Sequence, residues 1–353
     1  MAEARLSVGW DVGGAHLKAC LVRDGSVAGI AQWPCPVWQG LQHLEAALGA
    51  ARARWPEAFG PGARHAATMT AEMTDLFPTR EDGVRRLSAQ LAEALGPTLR
   101  LYAGETGFVA PHQAPVHWEA IASANWHATA SAVGARLADA VLVDIGSTTT
   151  DLIPLRRGRV VARGRSDAER LACSELVYHG VVRTPLMALA PQVAFGGATV
   201  NVMNEHFATT ADVYRLTGEL DPAHDQQPSA DGGAKDDAGT RQRVARMVGR
   251  DAREADPSAW LALARHWRGR QLDELSGQLA RVLAASGVPE EAPLVAAGCG
   301  DFLVPALADR QGRASRRFAD LVLGEATAAD APWRGWAQVC APAVAVALLA
   351  EAG

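Results

Sequence analysis

The sequence predicts an α/β protein in which one structural plan occurs twice along the chain. Patterns typical of strands and helices alternate through the first hundred or so residues, and the alternation restarts near residue 140. Two segments, VGWDVGGAHLKACLV and VLVDIGSTTTDLIPL, share the order apolar strand, aspartate, glycine turn, apolar strand. These observations favour two similar halves, and we place them at residues 1–135 and 136–353.

The first half opens with three strand patterns that are joined by two short turns. Gly13-Gly14 and Asp24-Gly25 have the residue types that tight hairpin turns require. One long helix is expected where alanine-rich helical spacing extends over residues 119–138. The strands are RLSVGWDV, HLKACLVRDG, SVAGIAQW, RHAATMT and LRLY, and the other helices are GLQHLEAALGAARARW and DGVRRLSAQLAEALG.

The second half begins with the strands AVLVDIG, TTDLIPL and RVVARG and ends with helices. The polar interval Gln226–Thr240, rich in glycine and aspartate, is expected to be a mobile loop. Helices follow it, and APLVAAGCGDFLVPALA then has the pattern strand, glycine turn, helix. The last helix, WAQVCAPAVAVALLAEA, is apolar almost all round, so it is buried either in the core of the chain or in a homodimer interface.

Composition excludes several classes of protein. The 353 residues are 48% hydrophobic and 21% charged, a balance typical of soluble proteins, and the net charge of -5 argues against nucleic-acid binding. We expect no membrane span, because no stretch of about 18 apolar residues occurs. The N-terminal segment lacks the pattern of a signal peptide, and the five scattered cysteines favour reduced thiols in a cytoplasmic protein.

The two hairpins have the chemistry of a phosphate site. A tight turn without bulky side chains exposes backbone N–H groups that can bind phosphate oxygens, and Mg²⁺ prefers one or two carboxylates together with water. Asp11 and Asp144 are therefore the expected metal ligands. In the later glycine turn, Gly298 and Gly300 are candidates for contact with the rest of a ligand. The expected diphosphate contacts are Gly13, Gly14, Gly146, Ser147, Thr148 and Thr149; the alternative is that both hairpins merely turn the chain.

These three segments, in this order, resemble the phosphate and adenosine motifs of the superfamily of actin, heat-shock chaperones and sugar kinases. The resemblance implies two actin-like, ribonuclease H-like lobes with a central ligand cleft. His16 stands where kinase relatives commonly carry a small hydroxyl residue, which fits a ligand other than ATP.

A closer resemblance covers nearly the whole chain. The blocks TMTAEMTDLFPTREDGV, ASANWHATA, VDIGSTTTDLIPL, SDAERLACSELVYHGVVRTP and ATTADVYRLTGEL are similar to hydantoinase/oxoprolinase-related proteins of the tetrahydromethanopterin-linked one-carbon pathway. The archaeal members of that group are synthases of the methanofuran pathway. The resemblance implies a transferase that joins an aminomethylfuran-methyl diphosphate to the phenol oxygen of tyrosine, tyramine or a glutamylated form and releases pyrophosphate. In methylotrophic bacteria the product would be methylofuran.

A phenol attacks well only when its proton is leaving, so this reaction calls for a general base. Glu72 and Asp75, three residues apart, are expected on one face of a first helical turn. Glu72 is expected to be the base or the partner of the aminomethyl cation, and His127 is the alternative base. The ammonium of Lys18 is expected to reach a phosphate oxygen.

Three further side chains are candidates for substrate binding. Asn125 and Trp126 would flank the flat rings, and the guanidinium of Arg183 matches a carboxylate. Ordinary structural roles remain open for all of them. Glu205, His206 and Asp212 lack a convincing third ligand, and a capped helix at Thr209-Thr210 explains them better than a metal site. Two other functions stay open: an ATP-dependent small-molecule kinase or amide-ring hydrolase, and a non-catalytic nucleotide-sensing protein.

Overall fold

The computed structural model describes residues 5–323 and 331–352, and it confirms the predicted mixture of strands and helices. Every strand predicted in the first half is present, because period-two burial and Gly or Asp turns are local signals. The strands are β1 (Leu6–Val12), β2 (His16–Arg23), β3 (Ser26–Pro34), β4 (Arg64–Met69), β5 (Leu99–Tyr102), β6 (Phe108–Val109), β7 (Ala140–Ile145), β8 (Thr150–Arg156), β9 (Arg159–Val160), β10 (Leu176–Val177), β11 (Gln192–Phe195), β12 (Ala198–Asn201), β13 (Leu294–Ala297) and β14 (Ser315–Arg317).

The helices vary widely in length, and the longest, α9, has 30 residues. Among the described residues, no helix combines the length and the apolar character that a bilayer span requires. The helices are α1 (Gln42–Arg54), α2 (Arg80–Leu95), α3 (Trp118–Ile121), α4 (Asn125–Gly134), α5 (Asp167–Ala172), α6 (Leu186–Leu189), α7 (Thr210–Thr217), α8 (Asp237–Arg246), α9 (Pro257–Ser286), α10 (Val304–Arg310), α11 (Phe318–Leu323), α12 (Trp336–Val339) and α13 (Ala341–Ala352).

Contacts divide the chain into two compact units that are discontinuous in sequence. The first unit contains the described residues up to Ala140, then Leu155–Arg170, then the described residues from Arg317 onward. The second unit contains Val141–Pro154 and Leu171–Arg316. The first division lies close to the boundary we placed between residues 135 and 136, but two later segments return to the first unit. A single boundary in the sequence cannot describe a unit that consists of three separate segments.

The first unit is built on a six-stranded sheet in the order β3-β2-β1-β4-β5-β6. β1 pairs antiparallel with β2 and parallel with β4, which is the ribonuclease H-like arrangement. Asp24 and Gly25 both have positive φ, 50° and 78°, as the tight turn between β2 and β3 requires. Helices cover the sheet, so its strands are apolar on both faces, and Trp10 of β1 is fully buried.

The apolar helix α13 lies in the core of the first unit, in contact with β1, β2 and β4. Its approach to β1 is so close that a Cβ atom on Gly9 would lie 2.1 Å from the carbonyl oxygen of Ala343. Of the two alternatives for this helix, burial in the chain's own core is confirmed. A homodimer therefore receives no support from α13.

The sheet of the second unit repeats the same plan in the order β10-β8-β7-β13-β14. Its central strand β7 has β8 on one side and the parallel strand β13 on the other, as β1 has β2 and β4. The predicted repetition of one α/β plan is confirmed. The predicted ligand cleft stays a prediction.

The long helix predicted over residues 119–138 is wrong. Two helices, α3 and α4, occupy this region, and Ser123 between them has a φ of 52°. A positive φ is uncommon for a residue other than glycine, and it ends the regular hydrogen-bonding pattern. Helical spacing alone does not reveal such a break, since the alanine-rich residues on both sides favour a helix.

The last residues of the interval Gln226–Thr240 are helical, because α8 begins at Asp237. Buried and half-buried ion pairs also hold its neighbourhood: the Lys235 ammonium lies 3.1 Å from the Asp225 carboxylate, and the Arg243 guanidinium lies 3.2 Å from Asp231. The prediction of a loop is therefore wrong for the last residues of the interval.

Candidate functional site

The first hairpin connects β1 to β2 through a short turn that begins at Gly13. The Gly13 N–H donates to the carbonyl oxygen of His16 over 3.0 Å, which closes the turn and leaves Gly14 and Ala15 at its tip. His16 itself is buried at the start of β2. The glycines and the aspartate predicted for this site are thus brought together by one tight connection.

Asp11, near the end of β1, is 3% exposed and faces Lys18 across the hairpin. The Lys18 ammonium lies 3.7 Å from Asp11 Oδ2. Burial raises the pKa of the Asp11 carboxyl, and the charge of Lys18 opposes that rise. Lys18 is therefore placed beside the predicted metal ligand, where its charge helps to keep Asp11 ionised.

Asp11 Oδ1 is buried and has no hydrogen-bond partner among the described residues. A buried carboxylate oxygen without a partner is costly unless a ligand meets it, and a hydrated cation is a suitable ligand. No cluster of three or more ligating side chains occurs in the part of the chain that the structure describes. Mg²⁺ does not need such a cluster, so the donor set at Asp11 fits a hydrated Mg²⁺.

The second hairpin connects β7 to β8 through residues 146–149. The Gly146 N–H donates to the Thr149 carbonyl oxygen over 2.8 Å, so Ser147 and Thr148 lie at the tip. Asp144 precedes the turn and is 9% exposed. The order of aspartate, glycine turn and hydroxyl residues that the sequence predicted is therefore present in three dimensions.

The glycine turn after β13 packs directly against this hairpin. Gly298 has a φ of 84°, and a Cβ atom there would lie 2.5 Å from Asp144 Oδ1 and 2.2 Å from the Ile145 carbonyl oxygen. The Gly300 N–H donates to the same Ile145 oxygen over 2.8 Å. Gly298 thus supports Asp144, because only glycine fits both the backbone conformation and the space there, and at Gly300 the space alone is too small for a side chain, since a Cβ atom would lie 2.5 Å from Ile145 Cγ2.

Residues 180–183 hold the tip of the second hairpin, and of these sequence analysis assigned only Arg183 to the site. The N–H groups of Val182 and Arg183 donate to the Ser147 carbonyl oxygen over 3.1 and 2.8 Å. A Cβ atom on Gly180 would lie 2.4 Å from Thr148 N, so this position also requires glycine. The local sequence offered one signal for this packing, a glycine in an otherwise bulky stretch.

Arg183, predicted to bind a carboxylate, is exposed beside the second hairpin. Its guanidinium nitrogen Nη1 lies 3.5 Å from the Thr148 hydroxyl oxygen. The structure therefore brings Arg183 together with a predicted diphosphate contact, where a guanidinium suits a phosphate as well as a carboxylate.

Glu72 lies in the first unit, in a short 3-10 helix (Ala71–Met73) that follows β4, and it is 1% exposed. Ser123 Oγ lies 2.8 Å from Glu72 Oε1 and 3.1 Å from Asp167 Oδ2. Burial raises the pKa of Glu72 to about 7, against the opposing effects of Ser123 and Arg80. Its proton affinity therefore suits a base that works near neutral pH.

The predicted pairing of Glu72 with Asp75 on one face of a helical turn is wrong. The short helix ends at Met73, and Asp75 is exposed whereas Glu72 is buried. The regular helix α2 begins only at Arg80, because Pro78 and the capping residue Thr79 come first. The carboxylate that accompanies Glu72 is Asp167, distant in sequence.

An aromatic side chain and a cation lie next to this carboxylate cluster. Arg170 has its guanidinium carbon 4.2 Å from the centre of the Trp126 ring and a nitrogen 3.7 Å from Asp167 Oδ1. Trp126 is buried, and its indole Nε1 has no hydrogen-bond partner within the described ranges. Asn125 is the first residue of α4 and is half-buried. Trp126 is thus packed against the Arg170 guanidinium, and its predicted contact with a substrate ring stays a prediction.

His127 lies on α4 beside Trp126 but takes part in a local structural contact. Its Nδ1 lies 2.8 Å from the Tyr102 hydroxyl and 3.3 Å from the Ser131 hydroxyl. Burial lowers the pKa of His127, so the ring is neutral at pH 7. These contacts favour Glu72 over His127 as the base.

The helix start that we preferred to a metal site at residues 205–212 is confirmed. Thr209 caps α7, and its N–H donates to Asp212 Oδ2 over 3.0 Å. Asp212 is fully buried and accepts hydrogen bonds from Arg215 and Arg243 over 2.7 and 2.8 Å. Glu205 and His206 are both exposed. Asp212 therefore has a structural role in an ion-pair network.

A family model described as "Hydantoinase/oxoprolinase" matches residues 64–319. The chain belongs to the hydantoinase/oxoprolinase family. The match starts at the strand that leads to Glu72 and continues through the second hairpin and the glycine turn at Gly298 and Gly300. Membership confirms the family predicted from the five sequence blocks.

Two curated relatives of this family member carry the name (4-{4-[2-(gamma-L-glutamylamino)ethyl]phenoxymethyl}furan-2-yl)methanamine synthase. The protein of Methanocaldococcus jannaschii is 30% identical over 243 residues, which cover 68% of this chain and 71% of that protein. The protein of Methanococcus vannielii is 34% identical over 125 residues, which cover 35% of this chain and 56% of that protein.

Among solved structures, this hydantoinase/oxoprolinase family member resembles nucleotide-free acetone carboxylase, from work on ATP-dependent acetone carboxylation. The TM-score is 0.54 at 11% sequence identity, and the match covers 86% of this chain and 66% of the carboxylase chain. At this identity the likeness concerns the fold alone, and it agrees with the mixed α/β fold of the chain.

Proposed function

We propose that this protein is an enzyme of methanofuran-type carrier biosynthesis. The reaction joins the furfuryl carbon of an aminomethylfuran-methyl diphosphate to a phenol oxygen and releases pyrophosphate. The observation that supports it best is the pair of buried aspartates, Asp11 and Asp144, each beside a tight glycine turn. This geometry occurs in a chain similar over 243 residues to a synthase whose name contains a phenoxymethyl group on a furan.

The proposed reaction breaks one bond and forms one bond at the same carbon. The phenol loses its proton to a base, its oxygen bonds to the furfuryl CH₂, and the electron pair of the carbon–oxygen bond leaves with pyrophosphate. Stabilising charge on the leaving group is usually a large contribution to catalysis. A bound Mg²⁺ would supply part of that stabilisation, and the carboxylates proposed to ligate Mg²⁺ are Asp11 of the first unit and Asp144 of the second.

Backbone and side-chain donors of the two turns have the complementary role of binding diphosphate oxygens. In the first turn this is the N–H group of Gly14, since the N–H of Gly13 closes the turn on His16. In the second turn they are the N–H groups and hydroxyls of residues 147–149, with Arg183 close to Thr148, while the N–H of Gly146 closes the turn on Thr149. Such groups are fixed by the fold, so little reorganisation is required when charge develops.

Glu72 is the proposed base for the phenol. Its Oε1 lies within hydrogen-bonding distance of Ser123, and its Oε2 lacks a partner in the described part of the chain. A base with a pKa near the working pH combines a useful ionised fraction with adequate proton affinity. Trp126 and Asn125 would contact the substrate rings.

The direct test supplies the purified protein with Mg²⁺, the aminomethylfuran diphosphate and one phenol at a time. Tyrosine, tyramine and γ-glutamyltyramine are compared by mass spectrometry of the ether and by release of pyrophosphate. Equal amounts of ether and pyrophosphate are expected with at least one phenol. A parallel incubation with ATP that yields ADP, together with no ether from any phenol, would replace the proposal with an ATP-dependent kinase or hydrolase.

A further inference from the structure

One hydroxyl group in the first unit lies between two carboxyl groups. Ser123 Oγ is 2.8 Å from Glu72 Oε1 and 3.1 Å from Asp167 Oδ2, both hydrogen-bonding distances. A serine hydroxyl has a single proton, and an ionised carboxylate only accepts. Both contacts are therefore hydrogen bonds at the same time only when one of the two carboxyl groups carries a proton and donates it to Ser123.

The surroundings decide which carboxyl group holds that proton. Glu72 is almost completely buried, and burial disfavours a charge. Asp167 is only half-buried and forms an ion pair with the Arg170 guanidinium 3.7 Å away. The proton therefore belongs to Glu72, and Ser123 donates its own proton to Asp167.

The backbone fixes this arrangement. Ser123 has a φ of 52°, and the neighbouring Ala122 forms an isolated parallel bridge with Met69 at the end of β4. On the other side, a Cβ atom on Gly83 of α2 would lie 2.7 Å from Glu72 Cβ, so the helix presses directly on Glu72. Glu72 and Ser123 thus have little freedom to separate.

The charged groups around Glu72 come from two elements. Arg80 at the start of α2 favours the ionised form, with its Nη2 3.5 Å from Ser123 Oγ, and Asp167 on α5 disfavours that form. Arg170 lies beyond Asp167 on the same helix. The balance between these opposite charges, with a rotating hydroxyl between the carboxyl groups, makes the proton on Glu72 easy to remove and easy to regain.

We propose that Ser123 and Asp167 are positioning residues that control the protonation of Glu72 through this shared hydroxyl. When Glu72 is ionised, Ser123 donates to Glu72; when Glu72 takes a proton, Ser123 turns and donates to Asp167. The inference rests on the proposed function only in taking Glu72 as the base for the phenol.

The test follows the protonated carboxyl of Glu72 by infrared spectroscopy during a pH titration of the full chain. The Glu72→Gln variant identifies the band. Ser123→Gly removes the hydroxyl, and glycine tolerates the positive φ, so this variant is better suited than Ser123→Ala to fold normally. We expect Ser123→Gly to move the titration midpoint of Glu72 upward, because a donor to its carboxylate is lost, and Asp167→Asn to move it downward, because a negative neighbour is lost.

The matched controls are Ser88→Ala, at another buried serine, and Asp82→Asn, at another acidic residue of this unit. Neither variant should change the titration midpoint of the Glu72 carboxyl band. In each variant, the acid limb of the profile of reaction rate against pH should shift in the same direction as the titration midpoint of Glu72. Unchanged midpoints, or midpoints that move in the same direction in both variants, would overturn the proposal. Because the infrared titration needs no substrate, a protein that forms no ether would refute the proposed function and leave this test intact.

Discussion

Gly298 lies against the carboxylate of Asp144 so closely that a Cβ atom on Gly298 would be 2.5 Å from Asp144 Oδ1. Asp144 lies in β7, and Gly298 directly follows the parallel neighbouring strand β13, whose last residue, Ala297, pairs with Asp144. The glycine turn therefore serves as a support for the acidic side chain, and changes on either side of this contact should have separable effects.

Replacing Gly298 should damage the fold itself. In Gly298→Ala the added carbon meets the Ile145 carbonyl oxygen at 2.2 Å in a backbone with a φ of 84°, and we expect a loss of roughly 2–4 kcal/mol in the free energy of unfolding. Gly277→Ala, inside α9 with open space around it, is the matched control and should gain about 0.5–1 kcal/mol. Denaturant unfolding measures both; equal stability of the two variants would contradict the close contact.

Asp144→Asn should separate chemistry from folding. The amide keeps the size of the side chain against Gly298 but removes the charge that a divalent cation requires, so pyrophosphate release should fall by about 10²-fold or more. Its thermal unfolding should remain close to that of the unchanged protein. Asp309→Asn, on the exposed side of α10, should leave both properties unchanged. Unfolding of Asp144→Asn would show that the carboxylate is architectural.

The Asp11–Lys18 pair should make stability depend on pH. Burial raises the pKa of Asp11 in the folded protein above the ordinary value of 3.8. The folded state therefore binds the proton more tightly than the unfolded chain. The resulting stability is fully present below pH 3.8 and is lost as the pH rises through the folded-state pKa. Lys18→Met removes the opposing charge and should lower stability at pH 7 by roughly 1–3 kcal/mol.

The control for Lys18→Met is Arg23→Met on the same strand, whose exposed pair with Glu57 should contribute less than about 1 kcal/mol. Asp11→Asn should remove the pH dependence that Asp11 causes and abolish activity. Equal effects of the Lys18 and Arg23 variants on unfolding at pH 7 would argue against a buried charge at Asp11.

Glu72→Gln should make the free energy of unfolding less dependent on pH between 4.5 and about 7. The pKa of Glu72 is raised from 4.5 to about 7, so between these values the folded protein binds a proton that the unfolded chain does not bind, and stability falls as the pH rises. The amide does not titrate, so the variant should lose less stability across this window, by up to about 3 kcal/mol. Thermal unfolding at a series of pH values, compared with Glu81→Gln at an exposed position, measures the difference.

Local patterns predicted the fold and the hairpins, since strand alternation, turn residues and the aspartates before each turn depend on neighbours in sequence. The environment of Glu72 could not be predicted in this way. Ser123 and Asp167 reach Glu72 from 51 and about 95 residues away, and the break at Ser123 interrupts residues that favour a helix. The support of the second hairpin by Gly180 is likewise a contact between segments distant in sequence.

The close packing of α13 on β1 has a consequence for how the protein is made. Gly9 emerges from the ribosome more than 300 residues before Ala343, the backbone partner that covers it. At roughly 5–20 residues per second, one face of the first sheet remains uncovered for tens of seconds during translation. That apolar face is a ready target for nascent-chain chaperones, and the first unit closes only after synthesis of the second is complete.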